Sequence, residues 1–127
     1  MDQTLAPFAA DLTGDDFRSL LDQMLEGCTV VDHDWRFAYV NDAALPHARK
    51  TRRELIGSTI MEAYPGIEHT FFFERMVECM TSRVSATWLN EFEHGGVKGW
   101  YELRIEPHQH GLIIFSNDAT ERKLLEQ

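Results

Sequence analysis

The sequence predicts an α+β domain in which five strands fall into two groups, separated by short helices and one longer helix. Three observations predict it. Val97 to Glu106 alternates cleanly, with Tyr101, Leu103 and Ile105 on one face and Trp100, Glu102, Arg104 and Glu106 on the other, which is the pattern of an antiparallel strand with one buried face. Leu112 to Phe115 is an unbroken apolar run and suits a central strand buried on both faces. Ile67 to Arg83 is long enough for a helix and repeats apolar residues at helical spacing.

Composition bounds what such a domain can be. A chain of 127 residues supports a single core and is too small for two. No run approaches the roughly 18 apolar residues of a membrane span, and the start MDQTLAPFAADLTGDD lacks the basic and apolar parts of a signal peptide, so a cytoplasmic location without membrane contact is expected. Cys28 and Cys79 are far apart in apolar stretches, which favours reduced, buried thiols over a disulfide. The net charge of -9 argues against nucleic acid as a partner, since phosphate binding needs a broad basic face. Arg49 to Arg53 packs four bases into five residues and reads as a solvated loop in preference to a dock for an acidic partner.

Taken in order, residues 1–14 show no periodicity and read as a mobile lead-in. Thr13 and Asp16 then resemble a helix cap with an acid in the first turn, and Phe17, Leu20, Leu21, Met24 and Leu25 form an apolar stripe ending near Gly27. A lone amphipathic helix must bury its stripe on its own sheet or on a second copy of the chain, so a homodimer through this helix is expected. Cys28 to Asp32 and Arg36 to Asn41 form a hairpin around Asp32-His33-Asp34. Asn41 stands at the mouth of a helical piece, DAALPHA, and can accept from an orphan N–H; Pro46 limits that piece. Next come RREL, a break at Gly57, and Ser58 as the cap of TIMEAY, with Pro65-Gly66 as a stop. On the Ile67 to Arg83 helix, Phe72, Phe73, Met76, Val77, Cys79 and Met80 share one face, and His69 projects into the middle of it, one turn before Phe72 and Phe73. Val84 to Glu93 is a strand, Gly95-Gly96 turns into the Val97 strand, Pro107 to His110 turns again, and Leu112 to Asn117 completes the meander. Asp118 to Arg122 is the exit into a helix.

The words Tyr39-Val40-Asn41-Asp42-Ala43, Arg53-Glu54-Leu55-Ile56-Gly57, Gly99-Trp100-Tyr101-Glu102 and Asp118-Ala119-Thr120-Glu121-Arg122-Lys123, in this order and spacing, resemble the PAS domain family, the sensory modules of bacterial histidine kinases and related signalling proteins. The resemblance spans roughly Asp15 to Gln127. Two departures are visible: Asp34-Trp35 stands where many members have an Asp-Gly turn, and Pro46 interrupts the first short helix. The resemblance implies the PAS fold, a five-stranded antiparallel sheet flanked by short helices and one longer helix, with an N-terminal amphipathic helix and the start of a C-terminal signalling helix. It divides the chain into a lead-in at 1–14, a sensor domain at 15–120 and the start of the signalling helix at 121–127.

The resemblance also implies a cavity between the long helix and the inner face of the sheet, with His69, Phe72, Phe73, Met76, Tyr101, Leu103 and Phe115 as its candidate lining. Haem-binding members ligate iron through a histidine on the long helix, which makes His69 the position to test; against haem, a histidine near a helix start is more often simply hydrogen-bonded. The reactive Asn-Cys-Arg-Phe word of flavin-binding members is absent, and Cys79 reads as packing, so no flavin adduct is expected. His108 and His110, with His94 nearby, sit in a polar turn without a carboxylate cluster, and no metal is expected. Asp118 and Thr120 match the family's Asp-x-Thr junction, which couples the sheet to the output helix. The expected role is regulatory, sensing a small ligand or mediating dimerisation and passing the signal through Asp118-Ala119-Thr120 to a C-terminal output domain. A kinase activity would lie outside the chain, which reads as a fragment of something longer.

Two rival readings carry weight. An enzyme could assemble Asp32, His69 and Tyr101 into an acid/base set, although no acid and histidine share a compact motif. A pure interaction module would fill its cavity with side chains and serve to dimerise.

Overall fold

The structure, a computed structural model, describes residues 19–94 and 96–126. Strands β1 (Gly27–Asp32), β2 (Phe37–Val40), β3 (Ala86–His94), β4 (Val97–His108) and β5 (Gly111–Asp118) form one antiparallel sheet in the order β2-β1-β5-β4-β3. The two strand groups seen in the sequence therefore join through β1 and β5, with Gly27 opposite Ser116 and Asp32 opposite Gly111. Helices α1 (Ala44–Ala48), α2 (Arg52–Leu55), α3 (Ile60–Ala63) and α4 (Phe71–Ser82) connect β2 to β3, and α5 (Thr120–Leu125) follows β5. This is the five-stranded α+β architecture expected of a PAS fold.

The core lies between the sheet and the connecting helices. Val31, Val40, Leu55, Met76, Ile105 and Leu112 are almost wholly buried there, each worth about 1.5–3 kcal/mol relative to exposure. β5 is central, but its burial alternates. Leu112, Ile114 and Ser116 are buried, while Ile113, Phe115 and Asn117 are only half-covered. The expectation of a strand buried on both faces is thus corrected: the helix layer packs on one face, and period-two alternation leaves the other half-open.

Capping residues set the helix boundaries, and they move several expected ones. Thr51 and Thr59 each accept from the N–H three residues on, while Glu54 and Glu62 reach back to the Thr N–H. Both are capping boxes. Thr59, not Ser58, caps α3, because Glu62 stands three residues after Thr59. Thr70 breaks the expected Ile67 to Arg83 helix. Its extended backbone and its hydroxyl, accepting from Phe73 N at 3.2 Å, start α4 at Phe71, and Ile67–His69 forms a separate 3-10 turn. Pro46 lies in the first turn of α1, where its missing N–H would have had no helical partner. Pro107 belongs to β4 and not to the turn: it pairs with Leu112 beyond the last β3 partner, Ile105.

Thr13, Asp16 and Phe17 of the expected N-terminal helix, and the lead-in at 1–14, lie outside the described residues. Residues 19–22 are helical, so the helix ends before Gly27, and Leu25 beyond it is 96% exposed. Arg52 is exposed, as expected of the basic segment, but its head group is held in place. Its guanidinium donates twice to Val40 O, at 3.1 and 2.9 Å, and pairs with Asp42 at 2.7 Å.

Candidate ligand cavity and signalling junction

A cavity of about 520 Å³ opens between the sheet and the α1, α3 and α4 layer, within the usual size of small-molecule sites. Its apolar wall includes Phe37, Ala44, Ile60, Phe72, Met76 and Ile114, and its polar groups include Thr29, His47, Asn90, Tyr101 and Ser116. Exposed Arg49, Pro65, Gly66, Thr70 and Glu93 lie at its margin. Of the residues expected from the sequence, Phe72, Met76, Tyr101 and Leu103 line this cavity.

His69, Phe73 and Phe115 do not, and each has a physical reason. His69 falls in the 3-10 turn before Thr70, outside the phase of α4; its side chain is 85% exposed, with Nε2 3.9 Å from Glu68. The haem position considered for it therefore does not face the cavity. Phe73 turns to Trp35, ring centroids 4.9 Å apart. Phe115 occupies the outer face of β5, where the Arg104 guanidinium lies 4.2 Å over its ring. Asp32, His69 and Tyr101 do not assemble as an acid/base set. Asp32 accepts from the N–H groups of Asp34 and Arg36 in the β1–β2 turn, and of the three only Tyr101 reaches the cavity.

Apart from Tyr101, the polar end of the cavity was not among the expected residues. His47 Nδ1 lies 2.8 Å from Ser116 Oγ, and its ring sits 4.7 Å from that of Tyr101. Burial lowers the His47 pKa, against the pull of nearby Asp118, which favours a neutral imidazole. Burial likewise raises Tyr101, and Asp118 adds to the rise while Arg49 opposes it. Gly27 makes this corner possible, because a Cβ there would fall 2.3 Å from Ser116 Oγ and 3.1 Å from Ala44 Cα. Two signals in the sequence pointed here. His47 follows Ala44 by three residues, one helical turn, and Ser116 continues the inward set of Leu112 and Ile114.

Both cysteines are free and buried. Burial, with Glu26 adding, pushes Cys28 up to about 11, and Cys79 Sγ points toward Ile105 O at 4.0 Å. Neither thiol is set up as a nucleophile. The rings of His108 and His110 lie 5.6 Å apart. Among the described residues no group of three side chains could hold a metal ion, and no helix is long and apolar enough to cross a membrane.

At the junction, Asp118 Oδ1 accepts from Thr120 N at 2.9 Å. Hydrogen bonding to Thr120 lowers the Asp118 pKa and keeps it ionised. Thr120 Oγ1 accepts from Trp100 N at 3.0 Å, and Ala119 N donates to Trp100 O at 2.8 Å. Arg122 on α5 reaches Glu102 on β4 at 3.6 Å. The start of α5 is thereby tied to the strand that carries Tyr101 and Leu103 into the cavity.

Comparison with known proteins agrees with this architecture. The profile of the PAS fold family matches residues 21–124. No curated protein matches the chain. Among solved structures, the PAS domain of Bordetella pertussis BvgS superposes with a TM-score of 0.72 at 22% identity, over 88% of this chain and 90% of that one. A PAS domain from Colwellia psychrerythraea gives 0.67 at 15% identity, over 85% and 98%. The PAS domain of nitrogen regulation protein NR(II) from Vibrio parahaemolyticus gives 0.61 at 17%, over 80% and 95%. At these identities the structural likeness speaks for the fold, and the profile match over most of the chain for the family: the chain belongs to the PAS fold family.

Proposed function

We propose that the domain is a regulatory sensor module of a signal-transduction protein, with a histidine kinase as the effector class to test first. In this reading a small, mostly apolar molecule enters the cavity, and the sheet passes its state to α5 through Asp118-Ala119-Thr120. One observation carries it. β5 places Ser116 on the cavity wall and Asp118 at the helix junction two residues later, and Asp118 pairs across the sheet with Tyr101, which also lines the cavity. A displacement of the inner wall by a ligand therefore has a two-residue path to the output helix. The reading assigns the domain no reaction of its own.

Native mass spectrometry and an absorption spectrum of protein purified from cells test the ligand half. A retained small molecule supports it; an unligated mass and a featureless visible spectrum across several expression hosts count against it. The junction half is tested in the full-length protein. Asp118→Ala removes the bond from Thr120 N at the helix start, and Thr120→Ala the bond from Trp100 N that ties α5 to β4; each is worth about 1 kcal/mol, which falls in the 1–3 kcal/mol range of allosteric coupling. The expected outcome is a folded domain with altered regulation of the effector, and unchanged regulation would sink the idea.

A second reading, a dimerising interaction module, draws on exposed leucines near both ends of the described region. Leu20 is 42%, Leu25 96%, Leu124 55% and Leu125 81% exposed, and a second copy could cover them. Sedimentation of the intact chain with Leu20→Glu and Leu124→Glu tests this: a dimer that both substitutions leave intact would exclude these contacts.

A further inference from the structure

The ionisable groups of the cavity wall are unevenly placed. His47 and Arg49 lie two residues apart at the end of α1, and both meet Tyr101. The His47 ring packs against it, and the Arg49 side chain hydrogen-bonds its hydroxyl end. Arg49 is set there by a left-handed C-cap, φ 58°, with its N–H on Leu45 O. Ser116 engages His47 Nδ1, and among the described residues Nε2 has no protein hydrogen-bond partner, although His47 lines the cavity. The rest of the wall is largely apolar. The corner thus sets hydrogen-bond donors beside an apolar wall.

We propose that this corner receives the carboxylate of a small apolar acid, held between His47, Arg49 and Tyr101. The proposal rests on the reading of the cavity as a ligand site. In the complex His47 donates Nδ1–H to Ser116 Oγ and Nε2–H to the carboxylate, while Arg49 and the Tyr101 hydroxyl supply the remaining donors. Charge-assisted bonds of this kind are the stronger class of hydrogen bond. Burial favours the neutral His47 imidazole, and an arriving carboxylate supplies the counter-charge that favours imidazolium. The acids near the corner do not reverse the balance. Asp118 is engaged by Thr120 N, and Glu93 belongs to the β3 margin.

Calorimetric titration at pH 7 with two matched series decides it: 1-naphthylacetate, 2-(1-naphthyl)ethanol and 2-(1-naphthyl)ethylamine, and octanoate, octanol and octylamine. At least one acid is expected to bind ten-fold or more tightly than its alcohol and amine. Arg49→Asn, which keeps a residue tolerant of the left-handed backbone, and His47→Gln are each expected to remove most of that preference while the alcohol binds as before. Thermal melts confirm that the variants fold; if His47→Gln does not, Arg49→Asn is read alone. Alcohols or amines that bind as well as the acids in both series overturn the carboxylate proposal and leave the cavity reading standing. So does an undiminished acid preference in Arg49→Asn. Absence of binding by every compound overturns the proposal, and absence of a retained ligand in the native mass spectrum then takes the cavity reading with it.

Discussion

Asn41 is wholly buried, and its amide spends all its capacity on the backbone. Oδ1 accepts from Cys28 N at 2.8 Å and Ala44 N at 3.1 Å, and Nδ2 donates to Leu21 O at 2.8 Å and Glu26 O at 3.0 Å. Asn41→Ala takes these partners from Cys28 N and Glu26 O, while Ala44 N and Leu21 O keep backbone bonds to Asn41 O and Met24 N, and it is expected to cost about 3 kcal/mol in chemical denaturation. Asn41→Asp keeps the acceptor but turns a carboxylate oxygen on two carbonyls. It is expected to be as damaging at pH 7 and milder below the carboxyl pKa, where one donor returns. A second residue-scale prediction concerns His47. Its folded pKa lies below the ordinary 6.5, so the unfolded chain binds the proton more readily. Stability is unaffected above about pH 6.5 and falls as the pH drops from there toward the folded pKa. In His47→Gln this part of the pH slope of the unfolding free energy is expected to disappear. At this scale the sequence showed Asn41 only as the local cap of α1. Its bonds to Leu21, Glu26 and Cys28 join segments 13 to 20 residues away, which no local pattern records.

Among the elements, the β1–β2 hairpin shows how a departure from a family word is accommodated. Trp35 takes φ 66°, the left-handed region that glycine enters freely and that costs other residues roughly 1–2 kcal/mol. Here the ring compensates by packing on Phe73, while Trp35 O accepts from Ile60 N at 2.8 Å. Trp35→Gly and Trp35→Ala both lose the ring contact, but only Ala keeps the strain, so the Gly variant is expected to be the more stable by about 1 kcal/mol. Thermal melts of the pair check the order, and equal stability would remove backbone strain from the account. The elements themselves were well marked in the sequence: both hairpins and the meander follow from alternation and turns. The miss at His69 came from reading 3.6-residue periodicity through Thr70. One capping hydroxyl shifts the phase, and the His69 side chain just before it leaves the α4 face, although Ile67 still reaches the cavity. Thr59-x-x-Glu62 and Thr51-x-x-Glu54 were legible capping boxes, and their logic would have moved the α3 cap off Ser58.

For the whole molecule, the helix layer sits on the sheet where glycine permits it. Gly27→Ala is expected to push α1 from β1, because the new methyl meets Ala44 Cα as well as the movable Ser116 hydroxyl. Overpacking of this kind costs about 1–3 kcal/mol. The His47–Ser116 contact should open with it, seen as a rise of the His47 pKa toward 6.5 in an NMR titration. The position of Phe115 outside the cavity belongs to this scale too. Strand parity, fixed once Leu112 and Ile114 enter the core, sends it outward whatever its chemistry, and Leu112 to Phe115 as an apolar run concealed that parity.

The pairing of Gly27 with Ser116 has a mechanical consequence. The strand by which the chain enters the sheet and the strand by which it leaves are neighbours, about 5 Å apart, and Glu26 just before the first bonds Asn117 near the end of the second. A domain whose doorway and exit share one doorpost can be spliced into a longer helical rod without displacing the rod's two halves. A slip of one residue between the two strands would turn Val31 or Leu112 and Ile114 out of the core, so the two ends of the domain are held at a fixed separation.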